Sequence, residues 1–529
     1  MPLSYPLSRR RFVAQAAGAV AGLVVGPALV GPEGQSPRAV PLPRPQPKLP
    51  KGLFTLGVAS GDPEPDGVVL WTRLAPVPLA GGGMPDLDVE VDWEVAEDER
   101  FRQIAQRGTA LAEPRLGHSV HVELVGLKPA REYWYRFRVG SEASPIGRTI
   151  TAPAADESPR RLRFAFASCQ DFATGYFTPY PHMIDEDVSF VIFLGDYIYE
   201  NGPTKASTRL HEGVGEPYSV GEYRNRHAQY RTDPDLRKAH STVPWIVTLD
   251  DHEIDNNWAD EHPQDPNLQT PAAFRARRVA ALQAYYEHMP LRRRALPHGL
   301  EMQLYRRLNF GPLASLHVLD TRQYRSTQAS SMAHANDPAM TMTGEKQEEW
   351  LVRSMKGGAR WNLLANQVMW AQNDRVAGLK QTFDMDCWDG YRAQRRRLLE
   401  FFGSGLTSNP VVLTGDRHAT WVCDLKPDFD DPASPVVGAE LTGTSITSGG
   451  DWSRVDFHRM FDPIMTESPH WKFIDNRRGY MVCELTADSL QAALRTVDTV
   501  LTPASNVVTA ARFEVQAGVP GVRLVSTES

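Results

Sequence analysis

The sequence predicts an α/β fold preceded by a β-sandwich, and three observations lead to this prediction. Up to about residue 155, short segments alternate between apolar and polar residues, as half-buried strands do. From Arg161 onward, apolar strand-like runs alternate with helical segments, of which Ala272–His288 is the clearest, with Pro290 just beyond its end. Several apolar runs end in a polar cluster, which is where open α/β sheets place their chemistry. A chain of 529 residues is too long for one core, so two or three domains are expected.

The first 35 residues are predicted to be an export signal. The motif Ser8-Arg9-Arg10-Arg11-Phe12 precedes a weakly apolar run from Val13 to Val30, which is too short and too poorly hydrophobic for a comfortable membrane span. Paired arginines before such a run resemble a twin-arginine signal. We therefore expect the twin-arginine export machinery as a partner and a periplasmic, cell-surface or secreted location. A disordered basic tail is the alternative. Residues 36–52 are rich in proline and are predicted to be an extended linker.

Composition restricts the classes of function. A formal net charge of -7 gives no electrostatic reason to expect a nucleic-acid partner. Hydrophobic and charged fractions of 41% and 23% are typical of a soluble globular protein, and no stretch after the leader is apolar and long enough to span a membrane. The cysteines have neither zinc-ribbon spacing nor the density of a disulfide framework, although a single bridge stays open. They are Cys169, Cys387, Cys423 and Cys483.

Residues 53–155 are predicted to form a β-sandwich of immunoglobulin or fibronectin type. The predicted strands are Gly67–Arg73, Val89–Val95, His121–Leu124 and Tyr133–Val139. Each is bounded by glycine, proline or charged turns. The segment Leu127-Lys128-Pro129 ahead of Tyr133 is typical of the tyrosine corner of such sandwiches.

Residues 160–515 are predicted to form the main α/β domain, in which six predicted strands each end in a polar cluster. The endings are Cys169-Gln170-Asp171 after Arg161–Ser168, Asp196 after Phe190–Leu194, Asp250-Asp251-His252-Glu253 after Pro244–Leu249, Asp320-Thr321-Arg322 after Leu316–Leu319, Asn366-Gln367 after Trp361–Ala365, and Asp416-Arg417-His418 after Val411–Leu413. One such ending is ordinary, because Gly-Asp after a strand is often a plain turn. Six endings predict one shared site at a sheet edge. The segments Ser326–Thr343 and Gly449–Pro469 are predicted to be long loops.

The residue types at these endings suit two adjacent cations of different kinds. A shared carboxylate must bridge the two cations, and Asp196 is the natural candidate. Tyr199, Cys169 and His418 are expected around the first cation, as a mixed set of oxygen, sulfur and nitrogen donors that suits a transition metal. A phenol gives up its proton readily only to a strongly Lewis-acidic ion such as ferric iron. The alternatives are that Cys169 is an inert buried thiol and Tyr199 a hydrogen-bonded core phenol.

The second cation is expected to have oxygen ligands alone. Besides the bridging carboxylate, the candidates are Asp251, Asn366 and Asp416. Such a set favours Ca²⁺ or Mg²⁺ over Zn²⁺. Asp250 is an alternative to Asp251, because both precede His252, and Asn366 has the alternative role of a helix cap. A nearby segment either adds a further calcium site or pocket lining, or forms a hydrogen-bonded turn; its residues are Asp386, Asp389 and Tyr391.

Three motifs in this set resemble a known superfamily. Gly195-Asp196-x-x-Tyr199, Asp251-His252-Glu253 and Gly415-Asp416-x-His418 look like the sequence blocks of the calcineurin-like metallophosphoesterases. The first motif is similar to that of purple acid phosphatases, whose tyrosine binds ferric iron.

Four positions depart from the general superfamily pattern. An aspartate, an asparagine and two histidines are expected where this chain has Cys169, Asp251, Asn366 and Asp416. These departures, together with the arginine-containing leader and the segment Gly57–Pro63 (GVASGDP), resemble the PhoD family of alkaline phosphatases and phosphodiesterases. The resemblance implies a four-layer α/β/β/α metallophosphoesterase sandwich with a fibronectin-like N-terminal domain. It also implies a dinuclear or larger site for Fe³⁺ and Ca²⁺, and hydrolysis of small-molecule phosphate esters outside the cytoplasm.

The expected chemistry follows from the two cations. Bridged cations acidify a bound water to hydroxide and clamp both the attacking and the leaving oxygen, so no protein nucleophile is required. His252 is expected to protonate the leaving alkoxide. Arg322 is expected to stabilise charge on the phosphoryl oxygens, with a surface or ion-pair role as its alternative, and Arg417 and Arg231 are further candidates.

The leading hypothesis is therefore a secreted alkaline phosphatase that acts on phosphomonoesters and phosphodiesters. The alternatives are a phospholipase D-like phosphodiesterase that uses the same metals and, in a different class, a non-catalytic surface protein that binds through its β-sandwich.

Overall fold

The structure is a computed structural model that describes residues 49–213 and 215–527. The predicted leader at residues 1–35, with its twin-arginine motif, and most of the predicted linker lie outside these residues. None of the described helices is both long and apolar enough to cross a membrane. The domain boundaries inferred from the sequence stay a prediction.

The N-terminal region consists of eight strands. They are β1 Val58–Glu64, β2 Gly67–Arg73, β3 Val89–Ala96, β4 Ile104–Ala112, β5 Ser119–Glu123, β6 Glu132–Val139, β7 Glu142–Ala143 and β8 Gly147–Ile150. All four strands predicted here are present, with ends that differ by two residues at most. The sequence analysis missed β1, β4 and the short strands at the end of the region.

The main region contains fourteen strands among the described residues. They are β9 Leu162–Ala167, β10 Phe190–Phe193, β11 Trp245–Val247, β12 Arg306–Phe310, β13 Ala314–Val318, β14 Trp361–Ala365, β15 Pro410–Thr414, β16 Thr420–Leu425, β17 Gly438–Thr442, β18 Trp471–Asp475, β19 Gly479–Leu485, β20 Ser489–Val497, β21 Val507–Gln516 and β22 Arg523–Thr527. The six predicted strands correspond to β9, β10, β11, β13, β14 and β15.

Eight α-helices accompany these strands in the described part of the chain. They are α1 Pro179–Ile184, α2 Val220–Arg231, α3 Pro234–Thr242, α4 Pro271–His288, α5 Met332–Ala335, α6 Gly344–Met355, α7 Arg392–Gly403 and α8 Arg454–Glu467. Short 3-10 turns occupy Pro114–Leu116, Arg293–Ala295 and Trp388–Tyr391. The prediction of a loop over Gly449–Pro469 is wrong, because α8 fills most of it: Ser453 caps the helix, and Phe457, Phe461 and Ile464 bury its apolar face.

Two sheets form the centre of the molecule. The larger has the strand order β22-β21-β20-β19-β9-β10-β11-β1-β2-β5, and the smaller has the order β12-β13-β14-β15-β17-β16-β18. Phe190 of β10 stacks on Phe310 of β12, with ring centroids 4.6 Å apart, so the two sheets pack face to face. Residues Val191 and Phe193, which alternate with Phe190, lie in the core beneath the helices on the opposite face. A strand buried on both faces explains the uninterrupted apolar run in the sequence.

The helices cover both outer faces of this pair of sheets. Side chains of α1 to α4 share one core with β9, β10 and β11. Side chains of α6, α7 and α8 share another core with the smaller sheet. The arrangement confirms the four-layer α/β/β/α sandwich.

The N-terminal sandwich is joined to the main region by strand pairing. A further sheet, with the order β4-β3-β6-β7 and with β8 paired to β6, packs against β1, β2 and β5 through one shared core. Because Gly61 of β1 pairs with Trp245 of β11, one layer of the sandwich continues the larger central sheet. The tyrosine corner is confirmed, since the backbone N–H of Lys128 donates to the Tyr133 hydroxyl at 2.9 Å. All four cysteines are buried and unbridged.

Candidate metal centre

Parallel strands bring the predicted site residues to one edge of the two sheets. In the larger sheet, β9, β10 and β11 are parallel neighbours, and in the smaller sheet so are β13, β14 and β15. The loops after these strands are therefore delivered to the same edge. A parallel bridge between Ser168 and Ser445 connects the two sheets there.

The backbone is unusual at four of the predicted ligands. Cys169, Asp196, Asp416 and His418 have φ values of 58°, 56°, 64° and 54°, in the left-handed region. A non-glycine residue pays for this conformation, and such residues concentrate at functional sites. At Asp196 the turn also needs Gly195, where an added Cβ would lie 2.4 Å from the Cβ of Asp250. The chain reverses tightly here and aims the side chains across the sheet edge.

Three predicted ligands of the first cation form one close group. Ligand atoms of Cys169, Asp196 and His418 all lie within 4.8 Å of one another. The Tyr199 hydroxyl lies 3.0 Å from Asp196 Oδ2 and 3.0 Å from His418 Nε2, and it accepts a hydrogen bond from Ser448 Oγ at 2.8 Å. A thiol, a carboxylate, an imidazole and a phenol therefore meet at one point.

A second close group shares the carboxylate of Asp196. Ligand atoms of Asp196, Asp251 and His252 also lie within 4.8 Å of one another. Asp196 Oδ1 and Asp251 Oδ1 are buried and make no hydrogen bond with any described residue, although Arg322 Nη2 lies 3.5 Å from Asp251 Oδ1. A buried carboxylate oxygen without a partner is costly unless a cation is bound to it. The donor set and these two oxygens fit a pair of metal ions that share Asp196.

The pKa shifts at this edge have the same physical origin. Burial raises the pKa of Asp196 well above its ordinary range, with His252 opposing the rise and the charge of Asp251 adding to it. Burial, followed by the charge of Asp196, raises the pKa values of Cys169 and Tyr199. Several acidic groups thus lie close together and are shielded from water. A bound cation would lower their pKa values and stabilise their deprotonated forms.

Asn366 and Asp416 reach the same edge from β14 and β15, and Asp416 belongs to neither close group. The amide of Asn366 donates to Val368 O at 2.6 Å and accepts from Trp388 Nε1 at 3.3 Å. No helix begins at Asn366, so the capping alternative is not observed. Burial and the charge of Asp250 raise the pKa of Asp416 well above its ordinary range. The ligand role of both residues stays a prediction.

His252 is held in a fixed orientation beside Tyr199. Its Nδ1 lies 2.7 Å from Glu200 Oε2, and its ring stacks on the Tyr199 ring with centroids 4.1 Å apart. Burial lowers the pKa of His252, but the carboxylates of Glu200 and Asp251 outweigh burial and raise it well above its ordinary value. Because Glu200 engages Nδ1, the other ring nitrogen is the one that remains to exchange a proton or to bind a metal.

Arg322 lies in an internal ion-pair network. It is completely buried, with Nε 2.5 Å from Asp250 Oδ1, Nη1 2.8 Å from Asp386 Oδ2 and Nη2 3.5 Å from Asp251 Oδ1. Its surface alternative is therefore wrong and its ion-pair alternative is observed, while contact with a phosphate stays a prediction. Because Asp251, and not Asp250, belongs to the close group with Asp196 and His252, Asp251 is the better placed of the two aspartates to bind a metal.

The two other arginines considered for phosphate contact, Arg417 and Arg231, also bind groups of the protein itself. Arg417 Nη1 lies 3.0 Å from Asp384 Oδ2. Arg231 donates to the carbonyl oxygen of His288 at 2.9 Å and packs on Trp71, beside the N-terminal strands, which does not support the prediction that it contacts phosphate.

The segment that contains Asp386, Asp389 and Tyr391 is tied to the protein itself. Asp386 pairs with Arg322 and with Arg325, Asp389 accepts from Arg395 Nη1 at 2.8 Å, and the Tyr391 hydroxyl donates to Ser326 O at 2.7 Å. These contacts favour the hydrogen-bonded loop over a further calcium site.

Three residues of the site were missed from the sequence. Glu200 orients His252, and Ser448 contacts Tyr199 from a distant loop. Glu253 accepts from the backbone N–H groups of Tyr197 at 2.6 Å and Asp250 at 2.8 Å, so it ties together the loops that carry Asp196 and Asp251. Glu200 and Glu253 stand inside the motifs already singled out, whereas nothing near Ser448 marks it.

The two face-to-face sheets with helices on both outer faces form a metallophosphoesterase fold. A purple acid phosphatase from yellow lupin (Lupinus luteus) seeds has the same fold, with a TM-score of 0.50 and 13% identity over 86% of this chain and 73% of that one. Such a low identity indicates the fold alone.

The family is defined by closer relatives. The model of the PhoD-like phosphatase matches residues 164–494, and that of the PhoD-like phosphatase N-terminal domain matches residues 40–153. Alkaline phosphatase D of Bacillus subtilis (strain 168) is 46% identical over 98% of this chain and 89% of its own length. A solved structure of PhoD has a TM-score of 0.86 and 47% identity over 90% of this chain and 92% of that one. The chain belongs to the PhoD-like phosphatase family, and the predicted family resemblance is confirmed.

Proposed function

We propose that this metal-dependent phosphoric-ester hydrolase is an exported alkaline phosphatase and phosphodiesterase that binds Fe³⁺ and Ca²⁺ at the edge of its two sheets. The observation that carries the proposal is that Asp196 belongs to both close groups of ligand atoms. A carboxylate in that place would be shared by two cations, as in two-metal hydrolytic sites.

The two groups of donors support different ions. Cys169, Tyr199 and His418 offer sulfur, phenolic oxygen and nitrogen, which suits a transition metal and, because of the phenol, ferric iron. Asp251 offers carboxylate oxygen on the other side of Asp196, and the neighbouring strand tips add Asn366 and Asp416. An oxygen set of this kind suits Ca²⁺.

Protein groups around the two ions have separate tasks. When bound, the cations supply an acidified water and the positive charge that the phosphoryl oxygens require. Glu253 accepts hydrogen bonds from the loops after β10 and β11 and so fixes their separation. His252, oriented by Glu200, is placed to hold a proton for the leaving oxygen. Arg322 holds the side chains of Asp250 and Asp251 in position through ion pairs.

Export rests on the leader. The motif Ser8-Arg9-Arg10-Arg11-Phe12 and the weakly apolar run after it support the twin-arginine route, which carries proteins that are already folded. A chain that must bind iron before export suits this route.

Hydrolysis of three substrate classes tests the proposal. Purified protein supplied with Fe³⁺ and Ca²⁺ is assayed on p-nitrophenyl phosphate, bis-p-nitrophenyl phosphate and phosphatidylcholine vesicles, with Asp196→Asn as the control. We expect cleavage of the monoester and the diester, and its loss in Asp196→Asn. Cleavage of the phospholipid alone would favour the phospholipase D-like alternative, and no cleavage of any ester would contradict the proposed activity.

A further inference from the structure

Helix α2 presents polar side chains to two different parts of the molecule. On one side, Arg226 Nη1 donates to the carbonyl oxygens of Tyr199 and of Asn201, the latter at 3.1 Å. From the same side, the Tyr230 hydroxyl accepts from the backbone N–H of Tyr199 at 3.0 Å. This side of the helix therefore supports the loop that carries a predicted metal ligand.

The other side of α2 carries His227 and Arg231 toward the N-terminal strands. Residues four apart on a helix lie one above the other. The Arg231 guanidinium lies 4.6 Å from the ring centroid of Trp71 in β2. The His227 ring stacks on the His288 ring of α4, with centroids 5.0 Å apart.

Both side chains are almost fully buried and incompletely bonded. Each is 1% exposed. Arg231 uses Nη2 to donate to His288 O at 2.9 Å, but its Nε and Nη1 make no hydrogen bond with any described residue, and neither ring nitrogen of His227 does. Buried donors without acceptors are costly, and a buried charge is costlier still.

The charge around these donors is unbalanced. Arg231 forms no ion pair with any described residue. Arg73 contacts His288 Nε2 at 2.8 Å, and this contact brings no negative charge. The nearby carboxylate, Glu287, is bound through both oxygens by Arg224 at 2.6 Å and 2.6 Å. Burial lowers the pKa of His227 to about 3, with Arg231 and Arg73 adding to it, so His227 is a neutral donor.

We propose that Arg231 and His227 bind a small inorganic anion of halide size between helix α2 and the N-terminal strands. A guanidinium and an imidazole N–H are the hydrogen-bond donors that such an anion needs. The anion stabilises the end of α2. Because Arg226 and Tyr230 of the same helix hold the Tyr199 loop, anion binding also stabilises the metal centre.

Anomalous diffraction tests the site directly. The full chain is crystallised in sodium bromide, and data are collected at the bromine absorption edge. We expect an anomalous peak in contact with Arg231 Nε or Nη1. A peak absent there, with water in its place, would overturn the proposal.

Thermal unfolding tests the energetic consequence in solution. The melting temperature of the metal-loaded full chain is measured in sodium bromide and in sodium methanesulfonate, whose larger anion binds metals weakly, at equal ionic strength. We expect a saturable rise with bromide in the wild-type protein, as mass action requires for a ligand of the folded state. Arg231→Met keeps an apolar stem beside Trp71 and should lose this rise.

Two further variants keep the test decisive. Arg459→Met removes an exposed arginine of α8 and should retain the rise, which separates a specific site from a general salt effect. If Arg231→Met does not fold, His227→Phe keeps the ring stacking and removes the donor, and it should weaken the bromide dependence. An equal rise in His227→Phe and in the wild-type protein would contradict the proposal.

Discussion

The two halves of the metal centre are assembled in different ways. In the first half, Cys169, Tyr199 and His418 approach Asp196 closely, and Asp196 forms no ion pair with a lysine or arginine among the described residues. In the second half, Asp251 is shared with Arg322, which also pairs with Asp250. In the first half, the negative charge of the ligands would be balanced mainly by the metal. In the second half, the positive charge of Arg322 already balances part of the negative charge of the aspartates. We therefore expect the first ion to be held tightly and the second to exchange.

Replacing the shared carboxylate should have the largest effect. Asp196→Asn removes a negative ligand from both halves at once. We expect both metals to be depleted and kcat/KM to fall about 1000-fold or more, since even partners of metal ligands are worth 10–100-fold. Metal content and ester hydrolysis are measured together. Loss of one metal with the other at full occupancy would show that the two halves do not share Asp196.

A calcium-selective chelator should separate the two halves. Because Arg322 already neutralises part of the negative charge in the second half, this half should bind its cation more weakly. EGTA should therefore remove Ca²⁺ and most of the activity while iron stays bound, and added Ca²⁺ should restore the activity. The check is metal analysis of the dialysed protein before and after the addition. Iron lost in step with calcium would contradict the asymmetry.

Removing the compensating cation should mainly affect stability. Arg322→Met leaves the carboxylate of Asp250 buried without its arginine and removes one of the two arginines that pair with Asp386, which costs about 3–5 kcal/mol of unfolding free energy. Denaturant unfolding of the metal-loaded protein measures this, with the exposed Arg353→Met as the control. If instead the stability were unchanged and KM rose strongly, Arg322 would be a phosphate ligand, as first predicted.

Glu200→Gln should have a smaller and more selective effect. The amide no longer fixes the protonation of His252 Nδ1, so we expect kcat to fall about 10–100-fold with metal content unchanged. The alkaline limb of the pH profile of kcat should also move to lower pH. The reason is that the Glu200 carboxylate raises the pKa of His252, and the substitution removes this carboxylate. An unaltered pH profile would show that His252 does not transfer the proton.

The sequence predicted the strand tips well because its signal there is local. Trp361–Ala365 has the same bounds in the sequence analysis and in the structure, and the apolar run at Phe190 ends within one residue of its prediction. A continuous apolar run followed by Gly-Asp predicts a buried strand and the turn after it, without knowledge of the neighbouring strands. The helix in Gly449–Pro469 was missed because Pro463 lies inside it and the flanking glycines resemble a loop.

Partners that meet only in three dimensions were not readable from the sequence. Arg322 was expected to contact phosphate because it ends a strand, but the carboxylates that surround it come from two other loops. Ser448 reaches Tyr199 from 249 residues away. By contrast, the tyrosine corner was predicted correctly because Lys128 and Tyr133 are close in the chain.

The most direct test of the two unlike ions is elemental analysis combined with visible absorption. We expect iron and calcium in the purified protein, together with an absorption band from tyrosinate-to-iron charge transfer that disappears in Tyr199→Phe. A colourless protein that contains zinc alone and is fully active would contradict the account.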